Sequence, residues 1–190
     1  MPSILLDSLR NRIRAMNTLY ERAVTDMTLD QVNHHEREGV LPIAFSLSHF
    51  VRAQDQTVSV LILRKAVIWD ADGWAEKVGV TVDRLGREES VEEMEAIRFG
   101  DFEAWQEYQS QVLAQTSRAM AELTDDSLED VLLPKLPSSM QNIYCAIVIG
   151  TDAPLRKLDA LECFVYQHGL RHMGEIEHGR ALVGLRGMTS

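Results

Sequence analysis

The chain holds 190 residues, 45% apolar and 25% charged, and its 19 basic against 29 acidic side chains give a formal net charge of −10. That length and composition fit one globular domain spanning 1–190, with enough chain to bury a core without staples. An acidic surface repels a phosphate backbone, and no apolar run reaches the roughly 18–20 residues of a bilayer span, so neither nucleic acid nor membrane is an expected partner.

Leu6, Leu9, Ile13, Met16, Tyr20, Ala23 and Met27 recur at alternating steps of three and four, which predicts a first amphipathic helix with that stripe turned inward. Asp7 and Arg10 interrupt its first turns, so the opening segment lacks the apolar core of a signal peptide and a cytoplasmic location is expected. Arg10, Arg12 and Arg14 read as solvated flanks. Thr28 and Gln31 have the spacing of a capping box. The paired His34 and His35 then fall in a polar connection and read as solvated. Pro42 suits the first position of a second helix, running to about Val67, because its missing N–H costs nothing there.

From Trp69 to Arg87 the pattern breaks around Gly73, Gly79 and Gly86, and a long loop is expected, a candidate lid or partner contact. Ser90 with Glu93 signals a third helix, continuous to Leu123, whose stripe includes Phe102, Trp105, Tyr108, Val112 and Ala119. A second irregular stretch spans Thr124 to Asp152. Within it Ile143–Ile149 fits a short strand or a buried helical turn equally well. Thr151-Asp-Ala-Pro154 reads as the start of a last helix continuing to about Leu185, with Pro154 in its first turn. The pattern predicts an all-α four-helix bundle with long connections between helices 2 and 3 and between helices 3 and 4. The two cysteines, Cys145 and Cys163, form no Cys-x-x-Cys motif and sit in apolar runs that predict buried, inert thiols.

The chemistry is concentrated on the last helix. Counted by threes and fours, its inner seam is Leu158, Leu161, Val165, His168, His172, Glu175, Gly179 and Leu182. Two imidazoles and a carboxylate thus occupy positions where a bundle buries aliphatics. Left without partners, each such group costs about 1–3 kcal/mol. His168 and His172 project from one face on adjacent turns, which lets both reach one metal ion. Two ligands bind weakly, and His49 of the second helix is the best third; three histidines leave a coordination position open for chemistry. Arg52 and Gln56 share the face of His49 and could meet an anionic substrate, although surface placement alone explains both.

Stronger motifs fail. The zinc-protease pattern H-E-x-x-H has Gly169 where its general base belongs. A di-iron bundle needs two Glu-x-x-His motifs, and only Glu175 to His178 matches. No Ser or Cys nucleophile has an evident partner base. Gly169, Gly174, Gly179 and Gly184 lie inside the last helix at about 0.8–1 kcal/mol each relative to Ala, which points to close backbone approach.

Two stretches carry a family resemblance. One is Met27-Thr-Leu-Asp-Gln-Val-Asn33 with Leu41-Pro-Ile-Ala-Phe-Ser-Leu-Ser-His49 and Asp55. The other is Tyr166-Gln-His-Gly-Leu-Arg-His-Met-Gly-Glu-Ile-Glu177, leading to Arg180 and Gly184. In these the chain resembles the DinB/YfiT-like superfamily of metal-dependent enzymes, with order and spacing matching over roughly residues 4–187. The resemblance implies a four-helix bundle, often dimeric, with a metal on His49, His168 and His172. The family includes transferases that use low-molecular-weight thiols, and members proposed as hydrolases.

The expected function is therefore metal-dependent thiol transfer to an electrophilic small molecule, or hydrolysis. A divalent Zn, Ni or Fe ion and a low-molecular-weight thiol cosubstrate are the expected cofactors, since imidazole suits these metals alike. Glu175 would orient His172 or shuttle a proton, or simply pair with an Arg at the helix end. The alternatives are a non-enzymatic, metal-stabilised binding protein of stress responses, and a small-molecule sensor with the loop from Trp69 as its lid.

Overall fold

The computed structural model describes residues 4–83 and 90–188. Six of the seven stripe residues lie on α1 (Ile4–Thr25), with Met27 just beyond it, and all seven are buried. A short α2 (Leu29–Val32) comes next, opened by a capping box in which the Thr28 hydroxyl accepts from the Gln31 N–H. The second long helix, α3 (Ile43–Gln56), is preceded by Pro42 as its N-cap. It continues as wider π-helical turns over Thr57–Ile62 and stops there rather than at Val67. Arg64 reverses the chain with a left-handed φ of 57°.

The stop has an identifiable anchor. Asp55 is fully buried, and its carboxylate accepts from Ser59 Oγ (2.7 Å), the N–H groups of Ile68 (3.1 Å) and Trp69 (3.0 Å), and Tyr108 Oη (3.1 Å). These bonds pull the adjoining segment back onto the core. The expected loop from Trp69 consequently contains α4 (Ile68–Ala71) and α5 (Trp74–Val78), with Trp69 and Trp74 buried in the main core. Gly86 and Arg87, the far end of that expected loop, lie outside the described residues.

The third helix is not continuous. Ser90 caps only α6 (Val91–Glu95), and the long helix α7 (Phe102–Glu122) restarts behind Asp101, whose carboxylate accepts from the Ala104 N–H at 2.9 Å. The break is held from outside. Asn33 donates to the Phe99 carbonyl (2.8 Å) and accepts from the Phe99 N–H (2.9 Å), satisfying backbone that a helix would otherwise pair. Phe102, Trp105, Tyr108, Val112 and Ala119 are all buried.

The stretch 124–152 is more ordered than its composition suggests. It holds α8 (Asp125–Leu128), β1 (Val131–Leu133) and a 3-10 turn at Ser138–Met140, and the ambiguous apolar run becomes α9 (Tyr144–Ile149). β1 pairs antiparallel with β2 (Leu155–Arg156), so among the described residues the mostly helical chain carries one small two-stranded sheet. That pairing pushes the last helix past Pro154: α10 (Lys157–Ala160) begins after Arg156, whose N–H donates to the Asp159 carboxylate at 2.9 Å.

From α10 the chain passes without interruption through π-helical turns at Leu161–Gln167 into α11 (His168–Leu182), which ends at Leu182 instead of Leu185. Each π turn carries an extra residue and rotates the rest of the helix about its axis. The buried face accordingly moves from Leu161 and Val165 to Gly169, Met173, Ile176 and Arg180, one position beyond the seam counted by threes and fours, with His172 still buried at its edge. His168, His172 and Glu175 are thereby turned from the centre of the core to its flank, toward α3.

The packing of the long segments is regular. α11 lies chiefly against α3, α3 against α7, α7 against α1, and α1 against α11. A smaller apolar cluster around Leu136, Cys145, Leu155 and Cys163 sits beneath the stretch 124–152. Among the described residues, no helix is long and apolar enough to cross a membrane.

Candidate metal centre

Close contact between α11 and α3 is what sets the site, and two glycines permit it. A Cβ on Gly169 would fall 2.1 Å from Met16 Sδ and 2.6 Å from Phe50 Cζ, and one on Gly179 would fall 2.6 Å from Ile43 Cγ1. Tyr20 Oη also donates to the Gly169 carbonyl at 2.9 Å, fastening α11 to α1. The residue that breaks the zinc-protease pattern thus has a packing role. Gly174 meets nothing within 4 Å, and Gly184 lies beyond the helix at φ +79°, where it ends the chain's helical course. Close approach therefore explains two of the four glycines.

His49 on α3 faces His168 and His172 on α11. Ring centroids are 5.1 Å apart for His49 and His168, 4.8 Å for His49 and His172, and 4.7 Å for His168 and His172. One nitrogen from each ring lies within 4.8 Å of the others, so the three could hold a metal ion. The Nε2 atoms of His168 and His172 stand 3.0 Å apart, close enough to share one proton or one cation. Two nitrogens bound at 2.0–2.1 Å to a tetrahedral ion would be about 3.3 Å apart, close to the spacing of the His168 and His172 Nε2 atoms.

The surroundings favour lone pairs over protons. His172 Nδ1 donates to Glu175 Oε2 at 2.7 Å, which leaves the lone pair on Nε2, the nitrogen turned toward His168. Burial, reinforced by repulsion from His172, His49 and Arg171, lowers the His168 pKa to about 3, so this ring stays neutral at ordinary pH. Burial works to raise the Glu175 pKa, but hydrogen bonds from His172 and Ser46 outweigh it and hold the carboxyl below its usual range. Ser46, one turn before His49 on α3, donates its Oγ to the Glu175 carboxylate at 2.7 Å.

The imidazoles open onto a cavity of about 410 Å³, within the range of roughly 300–1,000 Å³ typical of small-molecule sites. His49 and His168 line it together with apolar side chains from the end of α3, from the last helix and from Met140–Cys145. Cys145 and Cys163 meet in its wall, buried as expected, with a hydrogen bond between them that lowers the Cys145 pKa and raises that of Cys163.

Other expected participants lie elsewhere. Arg52 is buried rather than on the surface: its guanidinium stacks 4.2 Å over the Trp69 ring and pairs with Asp83. Gln56 does line the cavity. His34 pairs with Glu36 and His35 with Glu95, away from the site. Glu175 pairs with His172 and Ser46 rather than with an arginine. No residue of the described part of the stretch from Trp69 lines the cavity, and the wall that a lid would have supplied comes from Met140, Ile143 and Tyr144. Sequence reading missed Ser46, although its place one turn from His49 on the same helix was available as a signal.

No protein-family model matches this chain, and no curated protein does. Among solved structures, the crystal structure of a conserved protein from Enterococcus faecalis aligns over 96% of this chain and 98% of its own, with a TM-score of 0.73 and 14% sequence identity. At that identity the likeness shows a shared fold.

Proposed function

We propose that the protein is a metal-dependent enzyme in which His49, His168 and His172 hold one divalent ion, Zn, Ni or Fe, at the end of a small-molecule cavity. The observation that carries this reading is the convergence of three imidazoles from two helices, with His172 fixed by Glu175 so that its free nitrogen faces the other rings. A neutral His168 fits the same role, because a protonated imidazole cannot donate to a metal.

A divalent ion held there would act as a Lewis acid, bringing the pKa of a bound water or thiol toward neutrality. The chain's own groups then do the positioning. Ser46 and His172 orient the Glu175 carboxylate, which is within reach to take a proton through His172. The mostly apolar cavity wall gives a substrate a surface to pack on beside the imidazoles. On this reading the reaction is thiol transfer from a low-molecular-weight thiol to an electrophilic small molecule, or hydrolysis. The resemblance to the DinB/YfiT-like superfamily extends the proposal to a four-helix-bundle architecture, a single domain over 1–190, a homodimer and a cytoplasmic location.

The cavity beside the histidines favours an enzyme over a metal-stabilised binding protein, whose metal would need no adjoining space. A thiol-consumption screen with electrophilic substrates separates them. Turnover that disappears in His172→Ala supports the enzyme. Stoichiometric metal with no turnover, and a large fall in Tm on chelation, supports the structural role.

A further inference from the structure

The charge around the cavity is opposite to that of the whole protein. The chain carries a formal net charge of −10, yet among the described residues no Asp or Glu lines this space. Among the described residues its one permanently charged wall residue is Arg171, three positions beyond His168 on α11, so the two side chains are neighbours on one helix face. Among the described residues Arg171 makes no ion pair. Its guanidinium instead rests 5.7 Å from the centroid of the Tyr144 ring on α9, a contact that holds it without neutralising it. The buried or half-buried Arg12, Arg52 and Arg180, by contrast, are paired with Glu162, Asp83 and Asp26.

Apart from the histidines, Gln56 and Thr57, the remaining wall is mostly apolar. Val60, Leu61, Met140, Ile143 and Phe164 line it, and Val60 is 39% exposed on the outside of α3's extension. An apolar surface beside one uncompensated guanidinium matches a ligand with an apolar body and one negative charge. Guanidinium recognises a carboxylate through paired N–H···O bonds, and a single Arg balances one charge rather than two.

We infer that the cavity takes an amphiphilic monocarboxylate, its carboxylate on Arg171 and its apolar body along Val60, Leu61, Ile143 and Phe164. Because Arg171 neighbours His168, the carbon atoms next to the carboxylate lie at the imidazole cluster. This deepens the proposed function by naming its substrate class, and only that last placement rests on the metal reading. Tyr144 acts as a positioning residue for the guanidinium.

Calorimetric titration of the full-length protein with octanoate and with 1-octanol tests this directly, as the two share an apolar chain and differ in head-group charge. Octanoate is expected to bind at least tenfold more tightly than 1-octanol. Arg171→Met should remove that preference without changing 1-octanol binding, while Arg171→Lys should restore part of it. His172→Ala should keep it. Equal binding of the two ligands by the wild type, or no saturable octanoate binding, overturns the inference. A preference that survives Arg171→Met but vanishes in His172→Ala also overturns it, placing the anion at the imidazoles and leaving the metal reading standing. A preference lost only with Arg171, in a protein that retains no metal, supports the carboxylate site and counts against the metal centre instead.

Discussion

Glu175 accepts a hydrogen bond from Nδ1 of His172 at 2.7 Å, and this one contact decides which nitrogen of the ring is available to the other two histidines. A carboxylate behind a metal-binding imidazole raises its basicity and fixes its orientation, and loss of such a partner typically weakens metal binding about 10–100-fold. Glu175→Gln should therefore lower affinity by that factor in competition with a chromophoric chelator. The Glu175 side chain is about half exposed (46%), so the Tm of the metal-free protein should scarcely change.

The glycines of α11 give a paired test of the packing that brings the helices together. Gly169→Ala places a methyl against Met16 and the Phe50 ring and should cost about 1–3 kcal/mol in urea unfolding, as overpacked cores do. By forcing α11 away from α3 it should also weaken metal binding. Gly174→Ala meets open space and should stabilise by roughly 0.5–1 kcal/mol through helix propensity alone. Equal effects from the two substitutions would contradict the close approach.

These glycines also show where sequence reading succeeds and fails. The α1 stripe was legible because nothing interrupts its period, and the histidine pair because a four-residue step stays on one face of any α-helix. The seam beyond Val165 was displaced because the π turns at Leu161–Gln167 add a residue that counting by threes and fours cannot register. The gap before α7 was hidden for a different reason: the Asn33 side chain that satisfies the Phe99 backbone comes from 66 positions away. Likewise β1 and β2 are short and exist only through their mutual pairing across the chain. Arg171 was visible as a residue, but its place in the cavity depends on the fold of α9.

Arg180 ties the end of the last helix to α1. Its guanidinium is buried and donates to the Ala23 carbonyl at 2.7 Å, to Asp26 at 2.8 and 3.0 Å, and to the Arg186 carbonyl at 3.1 and 3.0 Å. Arg180→Met should cost about 1–3 kcal/mol at neutral pH, because the Ala23 carbonyl loses its donor in the interior.

The same pair carries a pH dependence. The hydrogen bond from Arg180 lowers the Asp26 pKa below the ordinary carboxylate range, against a smaller opposing effect of burial. A carboxyl whose folded pKa lies below its unfolded value stabilises the protein above the unfolded pKa, about 3.9, and loses that contribution as pH falls through the folded value. Unfolding midpoints should thus fall more steeply below about pH 4 in the wild type than in Asp26→Asn. The Asp26 side chain is 55% exposed, so solvent screening keeps the difference to about 1 kcal/mol or less.

The central claim is tested most directly by the metal content of untagged protein, measured by mass spectrometry alongside its His49→Ala, His168→Ala and His172→Ala variants. The account predicts close to one equivalent of a divalent transition metal in the wild type and its loss in each of the three variants, with helical circular dichroism retained. Metal-free wild type that gains none on incubation with Zn, Ni or Fe, or a full equivalent that survives removal of His49, would contradict it.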